Sequence, residues 1–217
     1  MEELDENKLP IAVTIGEPSG IGPEVILKSW YKRHEFSIAP FFVIGSAELL
    51  KKQASALNLN VPITPISSPQ QAVHIFNNSL PVLDLNFKSD FQFGHPQHET
   101  AEMVIASIDK AVELIICGQA RAMATAPIHK AALYSVGFDC PGHTEYLAKL
   151  SKNHTGEEYH PVMMLASEQL CVVPLTIHVA LKDVPPLITH QLLVRTIRTI
   201  HEGMKKFFNL DYPAIAV

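Results

Sequence analysis

The sequence has few cysteines, no long hydrophobic run and no cluster of lysine and arginine. Its three cysteines, Cys117, Cys140 and Cys171, have no CxxC spacing, which argues against a disulfide framework and favours a reducing cytoplasm. No apolar run approaches the roughly 18 residues that span a bilayer, and the acidic N-terminus is unlike a signal or transit peptide. Lysine and arginine are scattered, so we expect neither nucleic acid nor a membrane as a partner.

What is present is the composition of a folded globular protein. Of the 217 residues, 47% are hydrophobic and 18% are charged, with a net charge of -5. This length allows one large domain or two small ones. Because helix and strand patterns alternate along the chain, we expect an α/β fold: a mostly parallel sheet between layers of helices.

Hydrophobic patterning locates the elements of the first part of the chain. Strands are predicted at 11–15, 40–45, 62–66, 81–85 and 121–126, and helices at 23–33, 46–57 and 99–117. Ser46 is the predicted N-cap of the second helix. The third has the clearest helical face, formed by Val104, Ile108, Val112 and Ile115.

The rest of the chain is predicted to begin a second domain. We expect a first α/β domain at 1–125 and the start of another at 126–217. The predicted elements are a helix at 145–150, a surface loop at 151–160, paired strands at 161–166 and 170–177, a helix at 189–208 capped by Thr189, and a strand at 213–217. His178 would then follow the end of a strand. A chain that stops at the tip of a strand is expected to be an interrupted protein.

A glycine-rich turn follows the first predicted strand. It contains Gly20 and Gly22 and leads into a helix, which is a general layout for holding an anion on backbone N–H groups. The glycine spacing matches neither GxGxxG nor a P-loop. A simple tight connection between strand and helix is the alternative.

The stretch 124–147 gathers polar side chains after a predicted strand, where parallel sheets bind ligands. His129 and Lys130 either meet an anionic ligand or form a solvated surface. His143 and Thr144 together can bind phosphate or carboxylate oxygens, with a helix cap at Thr144 as the alternative. We therefore expect a polar or anionic small molecule here.

Metal ligands and nucleophiles are weaker candidates. His95 and His98 form a metal pair only if a third ligand joins them, so a solvated loop at 88–98 is favoured. His178 alone is likewise insufficient. A serine nucleophile is excluded by the absence of a GxSxG motif, and Cys140 has no cationic neighbour in sequence.

Five stretches together resemble the PdxA family of 4-hydroxythreonine-4-phosphate dehydrogenases. They are VTIGEPSGIGPE at 13–24, ATAPIHKAAL at 124–133, PGHTEYLA at 141–148, VMMLASEQL at 162–170 and TIHVALKDVPPLIT at 176–189. The resemblance implies a cytoplasmic, two-domain homodimer similar in fold to isocitrate and isopropylmalate dehydrogenases. It also implies NAD or NADP as cofactor and a divalent metal, with zinc expected and magnesium or cobalt as alternatives.

The resemblance further implies a phosphorylated substrate, 4-phosphooxy-L-threonine, which is oxidised and decarboxylated to 3-amino-2-oxopropyl phosphate in pyridoxal phosphate (vitamin B6) biosynthesis. By motif, His143 and Thr144 bind substrate and His178 is the first metal ligand, with no catalytic residue assigned. Gly20, Gly22, His129 and Lys130 are expected to line the same cleft.

The family continues for about a further third of its length, with more metal histidines, so a C-terminally truncated and inactive chain is expected. The alternatives are a dehydrogenase of threonate or erythronate 4-phosphate, or a non-catalytic remnant.

Overall fold

The computed structural model describes residues 9–87 and 92–217, so the first part of the predicted loop at 88–98 lies outside the described residues. The chain divides into two compact units, Met1–His143 and Thr144–Val217. This division falls C-terminal to the domain boundary expected at 125/126. Each unit is described by itself.

The first unit contains a five-stranded sheet in which every pairing is parallel. Its strands are β1 (Ile11–Thr14), β2 (Phe41–Gly45), β3 (Ile63–Ile66), β4 (Leu80–Asp84) and β5 (Ala122–Thr125), in the order β3-β4-β2-β1-β5. Its helices are α1 (Gly22–Tyr31), α2 (Ala47–Ala56), α3 (Gln70–Ile75), α4 (His98–Ile116) and α5 (Lys130–Ser135). The predicted α/β fold is confirmed, whereas the short helix α3 was not predicted.

The sheet lies between two layers of helices. Side chains alternate along β2, so Phe41 and Val43 face one layer while Phe42 and Ile44 face the other. The first layer is α1 and α2, and the second is α3 and α4. Because β2 is buried on both faces, it is hydrophobic along its whole length.

Helix α4 packs through the face that the sequence predicts and also ties two strands together. Ser107 is fully buried on this helix. Its hydroxyl donates a hydrogen bond to the Ile44 carbonyl at 2.7 Å and accepts one from the Ile15 N–H at 3.2 Å. The hydroxyl therefore satisfies backbone groups where the paired regions of β1 and β2 end.

The second unit is built on two long helices and a small hairpin. Helix α6 (His143–Thr155) starts at the last residue of the first unit, and α7 (His190–Phe208) follows later in the chain. The hairpin pairs β6 (Leu165–Ala166) with β7 (Cys171–Val172) antiparallel. The predicted cap of α7 is confirmed, because Thr189 Oγ1 accepts a hydrogen bond from the Leu192 N–H at 3.2 Å.

Several predictions for this unit are wrong. The paired strands at 161–166 and 170–177 shrink to two residues each, partly because proline at 174 has no N–H to donate to a ladder. Residues 213–217 form no strand, since no described strand pairs with them. The predicted loop at 151–160 begins as helix, which runs to Thr155 before Gly156 adopts a φ of 75°.

The described helices include none that is both long and apolar enough to cross a bilayer. All three cysteines are thiols, Cys140 buried and Cys117 and Cys171 exposed.

Candidate functional site

The predicted ligand-binding edge lies where the connections after two neighbouring strands leave on opposite faces of the sheet. Strands β1 and β5 are neighbours, with Thr14 opposite Thr125 at their carboxyl ends. The chain leaves β1 into α1 on one face, whereas it leaves β5 into α5, which packs against α4 on the other face. Open α/β sheets bind ligands at such a switch point.

The turn after β1 lies directly against the segment after β5. The Glu17 N–H donates a hydrogen bond to the Pro127 carbonyl at 2.8 Å. Gly16 has a φ of 68°, and a Cβ there would lie 2.6 Å from that carbonyl oxygen. A Cβ at Gly22 would lie 3.0 Å from the Ala126 Cβ. These two glycines are therefore required by chain packing, whereas the three atoms nearest to a Cβ at Gly20 all belong to Glu17, at 3.4 Å or more.

Buried polar groups fix this turn through hydrogen bonds. Glu17 is only 5% exposed, and its Oε1 accepts a hydrogen bond from the Ser19 N–H at 3.0 Å. The Thr100 hydroxyl of α4 lies 3.5 Å from the same carboxylate oxygen. The Gly94 N–H donates to the Ser19 carbonyl at 2.9 Å, and the Gln53 side chain donates to the Pro18 carbonyl. The first residues of the turn are thus fixed by several elements.

Sequence reasoning missed Glu17, Gln53 and Thr100 as parts of the site. Gln53 is the one with a visible signal, because it is a polar residue on the core-facing side of α2, next to Ala54. The residue that Gln53 contacts, Pro18, is 35 positions away in sequence, so no local pattern identifies Pro18 as the partner.

His129 and Lys130 stand at the start of α5, and both are exposed. His129 is the N-cap of this helix, where its Nδ1 accepts a hydrogen bond from the Ala132 N–H at 3.3 Å. The cap explains the position of this histidine without a ligand, and its role in lining a cleft stays a prediction.

His143 is the first residue of α6 and is half-buried. Burial lowers the pKa of its imidazole, and the positive charge of Lys130 lowers that pKa further. The ring is therefore neutral at pH 7. Its Nε2 is buried and has no hydrogen-bond partner within the described part of the chain. A polar atom of this kind is available for a ligand.

Thr144 follows in the first turn of the same helix and is partly buried. The N-terminal end of a helix carries partial positive charge, which favours anionic groups. His143 and Thr144 are therefore placed where phosphate or carboxylate oxygens are stabilised, and their role in binding substrate remains a prediction.

His178 is not at a strand end, which corrects the predicted position, because β7 ends at Val172. It is exposed and has a φ of 57° in an irregular segment. Residues 9–87 and 92–217 contain no group of three or more His, Cys, Asp or Glu side chains that could hold a metal ion. His95 and His98 belong to no such group either. The described residues by themselves do not fit a zinc site.

A nicotinamide nucleotide is not matched by the described turn either. In a nucleotide-binding turn, glycines let the backbone approach the phosphates closely. Here the space beside Gly16 and Gly22 is filled by Ala126 and Pro127 instead. No catalytic step is therefore assigned to a cofactor on these residues.

The first unit is thus a three-layer α/β structure, with candidate anion-binding residues on the segment that follows β5. The chain belongs to the PdxA family. The family model described as pyridoxal phosphate biosynthetic protein PdxA matches residues 37–217.

Individual relatives agree with this assignment. The chain is 44% identical over 210 residues to 4-hydroxythreonine-4-phosphate dehydrogenase of Methylorubrum populi, covering 96% of this chain and 60% of that protein. It is 41% identical over 209 residues to the enzyme of the same name from Zymomonas mobilis, with coverage of 96% and 60%. A crystal structure of a 4-hydroxythreonine-4-phosphate dehydrogenase from Burkholderia phymatum superposes with a TM-score of 0.82 at 30% identity, covering 91% and 58%. The chain thus spans about 60% of the length of its curated relatives.

Proposed function

We propose that this chain supplies substrate-binding residues of a dehydrogenase that oxidises 4-phosphooxy-L-threonine in pyridoxal phosphate biosynthesis. The overall reaction is oxidation of the substrate alcohol by NAD or NADP with loss of CO2, giving 3-amino-2-oxopropyl phosphate. The names of the relatives support the substrate and the reaction class. A cytoplasmic homodimer belongs to the same proposal.

The observation that carries this proposal is the unpartnered Nε2 of His143 at the start of α6. In the tautomer that carries the proton on Nε2, the neutral imidazole of His143 donates a hydrogen bond to a phosphate or carboxylate oxygen of the substrate. Hydrogen bonds to charged acceptors contribute about 1.5–3 kcal/mol each. Thr144 adds a hydroxyl donor in the same helical turn.

Lys130 has an electrostatic role in this proposal. Its charge reaches His143 strongly enough to lower the pKa of the imidazole. The same charge attracts an anionic substrate and balances its phosphate. A lysine acts here as a point charge, so it needs no fixed geometry.

The metal is proposed to be a divalent ion, zinc first, with His178 as one ligand. A catalytic zinc site has three protein ligands, so the others must come from outside the described residues. We expect a polypeptide of these 217 residues alone to hold zinc weakly and to produce no NADH.

A chimaera tests the proposed substrate. Residues 10–217 would replace the matching segment of the Methylorubrum populi relative, so that the relative supplies the rest of the chain. With zinc and NAD, we expect NADH formation with 4-phosphooxy-L-threonine to exceed that with threonate or erythronate 4-phosphate. The matched control is the same replacement made with the Zymomonas mobilis segment.

Each outcome of this assay is informative. A control that forms NADH beside a folded, inactive chimaera would show that these residues are a non-catalytic remnant. A preference for threonate or erythronate 4-phosphate would assign the chain to that substrate instead.

A further inference from the structure

Gln53 is a fully buried amide in the core-facing side of α2. Its Nε2 donates a hydrogen bond to the carbonyl of Pro18, in the turn after β1. A carbonyl oxygen can only accept a hydrogen bond, so this contact fixes which end of the amide points at the turn. The side chain is therefore oriented by the turn and not by its apolar neighbours.

The other end of the same amide is left without a partner. Gln53 Oε1 is buried and makes no hydrogen bond to any residue of the described ranges 9–87 and 92–217. An unsatisfied buried acceptor is unfavourable, and an apolar side chain of similar shape avoids this cost. Core packing alone therefore does not account for a glutamine at this position.

The contact acts on the part of the turn that lies against the segment after β5. Pro18 lies between Glu17, whose N–H is bonded to Pro127 after β5, and Ser19, whose N–H is bonded to the Glu17 carboxylate. Pro18 itself has no N–H with which to hold the turn. The carbonyl is thus the only backbone group of Pro18 that can form a hydrogen bond, and Gln53 donates to it.

We propose that Gln53 is a positioning residue that fixes the turn Gly16–Gly22 against the segment after β5. It acts through the Pro18 carbonyl and does not itself touch substrate. The benefit to substrate binding rests on the proposed function, whereas the effect on the turn does not.

Amide hydrogen exchange, measured residue by residue by NMR on the 217-residue chain, tests the proposal. The reporters are the N–H groups of Glu17, Ser19 and Gly20, and the N–H groups of Phe42 and Val43 report global stability. In Gln53→Met we expect the turn amides to exchange at least about tenfold faster, with the strand amides unchanged or slower.

The matched control is Gln71→Met. It removes an exposed side-chain amide whose oxygen accepts a hydrogen bond from the Ser67 N–H just before α3. It should leave the turn amides unaltered. Unchanged turn exchange in Gln53→Met, or an equal acceleration of turn and strand amides, would overturn the proposal.

Gln53→Glu supplies a rescue. The ionised carboxylate can only accept hydrogen bonds and repels the Pro18 carbonyl, whereas the protonated carboxyl can donate its O–H to it. As the introduced carboxyl is protonated, followed by its own NMR titration, turn protection relative to wild type at the same pH should return. Turn amides that stay unprotected in the protonated form would contradict a role through this hydrogen bond. Neither readout depends on enzymatic activity, so failure here is distinct from failure of the proposed substrate.

Discussion

At the scale of single residues, His143 carries the functional argument because burial leaves its ring both neutral and without a hydrogen-bond partner at Nε2 in the described chain. Its Nε2 is buried without a partner in the described chain, and its pKa is lowered first by burial and second by Lys130. The sequence motif already indicates this histidine. The lowered pKa of its ring and the unpartnered Nε2 follow only from the folded structure.

Replacing Lys130 by methionine tests the contribution of the Lys130 charge to the lowered pKa of His143. We expect the pKa of His143 to rise in Lys130→Met but to remain below its ordinary value of about 6.5, because burial is the larger cause. Two-dimensional NMR of the imidazole measures this directly. Lys51→Met is the control, since Lys51 does not contribute to the shift, and a pKa equal in both variants would contradict the placement of Lys130.

Gly16 provides a second test at this scale. Gly16→Ala should lower the free energy of unfolding by about 3 kcal/mol, since a Cβ would meet the Pro127 carbonyl at 2.6 Å in a left-handed backbone conformation. Gly118 has almost the same φ, 65°, with nothing within 4 Å, so Gly118→Ala should cost only about 1 kcal/mol. Urea denaturation measures both, and equal losses would show that the close approach does not matter.

The residues that the sequence indicates for the site are those marked by local motifs, such as His143 and Thr144, whose role stays a prediction. Glu17 and Gln53 were missed because their contacts join different elements. The contact between Gln53 and Pro18 exists only once α2 has packed beside the turn.

At the scale of elements, α4 connects the sheet to the candidate site. Its first turn brings Thr100 to the Glu17 carboxylate, and Ser107 bonds the ends of β1 and β2. The helix was predicted from its apolar face, but Ser107 lies beside Ile108 on a buried side and was not singled out.

Ser107→Ala should be strongly destabilising for its size. It leaves a buried Ile15 N–H and a buried Ile44 carbonyl without this partner, at a cost of about 3 kcal/mol. The control is Ser135→Ala, whose exposed hydroxyl bonds only to Ala132 of its own helix and should change stability by about 0.5 kcal/mol or less. Thermal and urea unfolding measure the difference, and similar losses for both variants would refute the bridging role.

The elements show why prediction succeeded for the parallel sheet and for α7 but failed for the strands of the second unit. Strands β1 to β5 are short apolar runs with partners on the sheet, and α7 has both a cap and a periodic face. The strands expected at 170–177 and 213–217 have similar composition. A strand requires a neighbouring strand to satisfy its backbone groups, and local sequence does not specify that neighbour.

At the scale of the whole molecule, two histidines make stability depend on pH. The pKa of His143 and that of His160 are both lowered by burial, and each is lowered further by a nearby cation. His160 Nε2 lies 3.1 Å from the hydroxyl of buried Thr196 on α7. Both folded-state rings are therefore neutral at a pH where the unfolded chain already binds protons.

The sign of the effect follows from linkage. The unfolded chain binds more protons than the folded one below about pH 6.5, so stability should be full above that pH and fall as pH decreases toward the folded-state values. Urea titrations between about pH 8 and pH 5.5 measure it. The double variant His143→Gln and His160→Gln should show a flatter profile, and an unchanged slope would contradict the assignment.

The central claim is that the residues described here form part of the substrate site of a 4-phosphooxy-L-threonine dehydrogenase. The most direct measurement is the initial rate of NADH formation by the chimaera in which residues 10–217 of this chain replace the matching segment of the Methylorubrum populi relative, compared with the His143→Ala variant of that chimaera. We predict turnover for the parent and a loss of about a hundredfold in kcat/KM for the variant, the scale expected for removing one hydrogen bond to developing or bound negative charge. Equal kcat/KM values for two folded, metal-loaded proteins would show that His143 does not belong to the site.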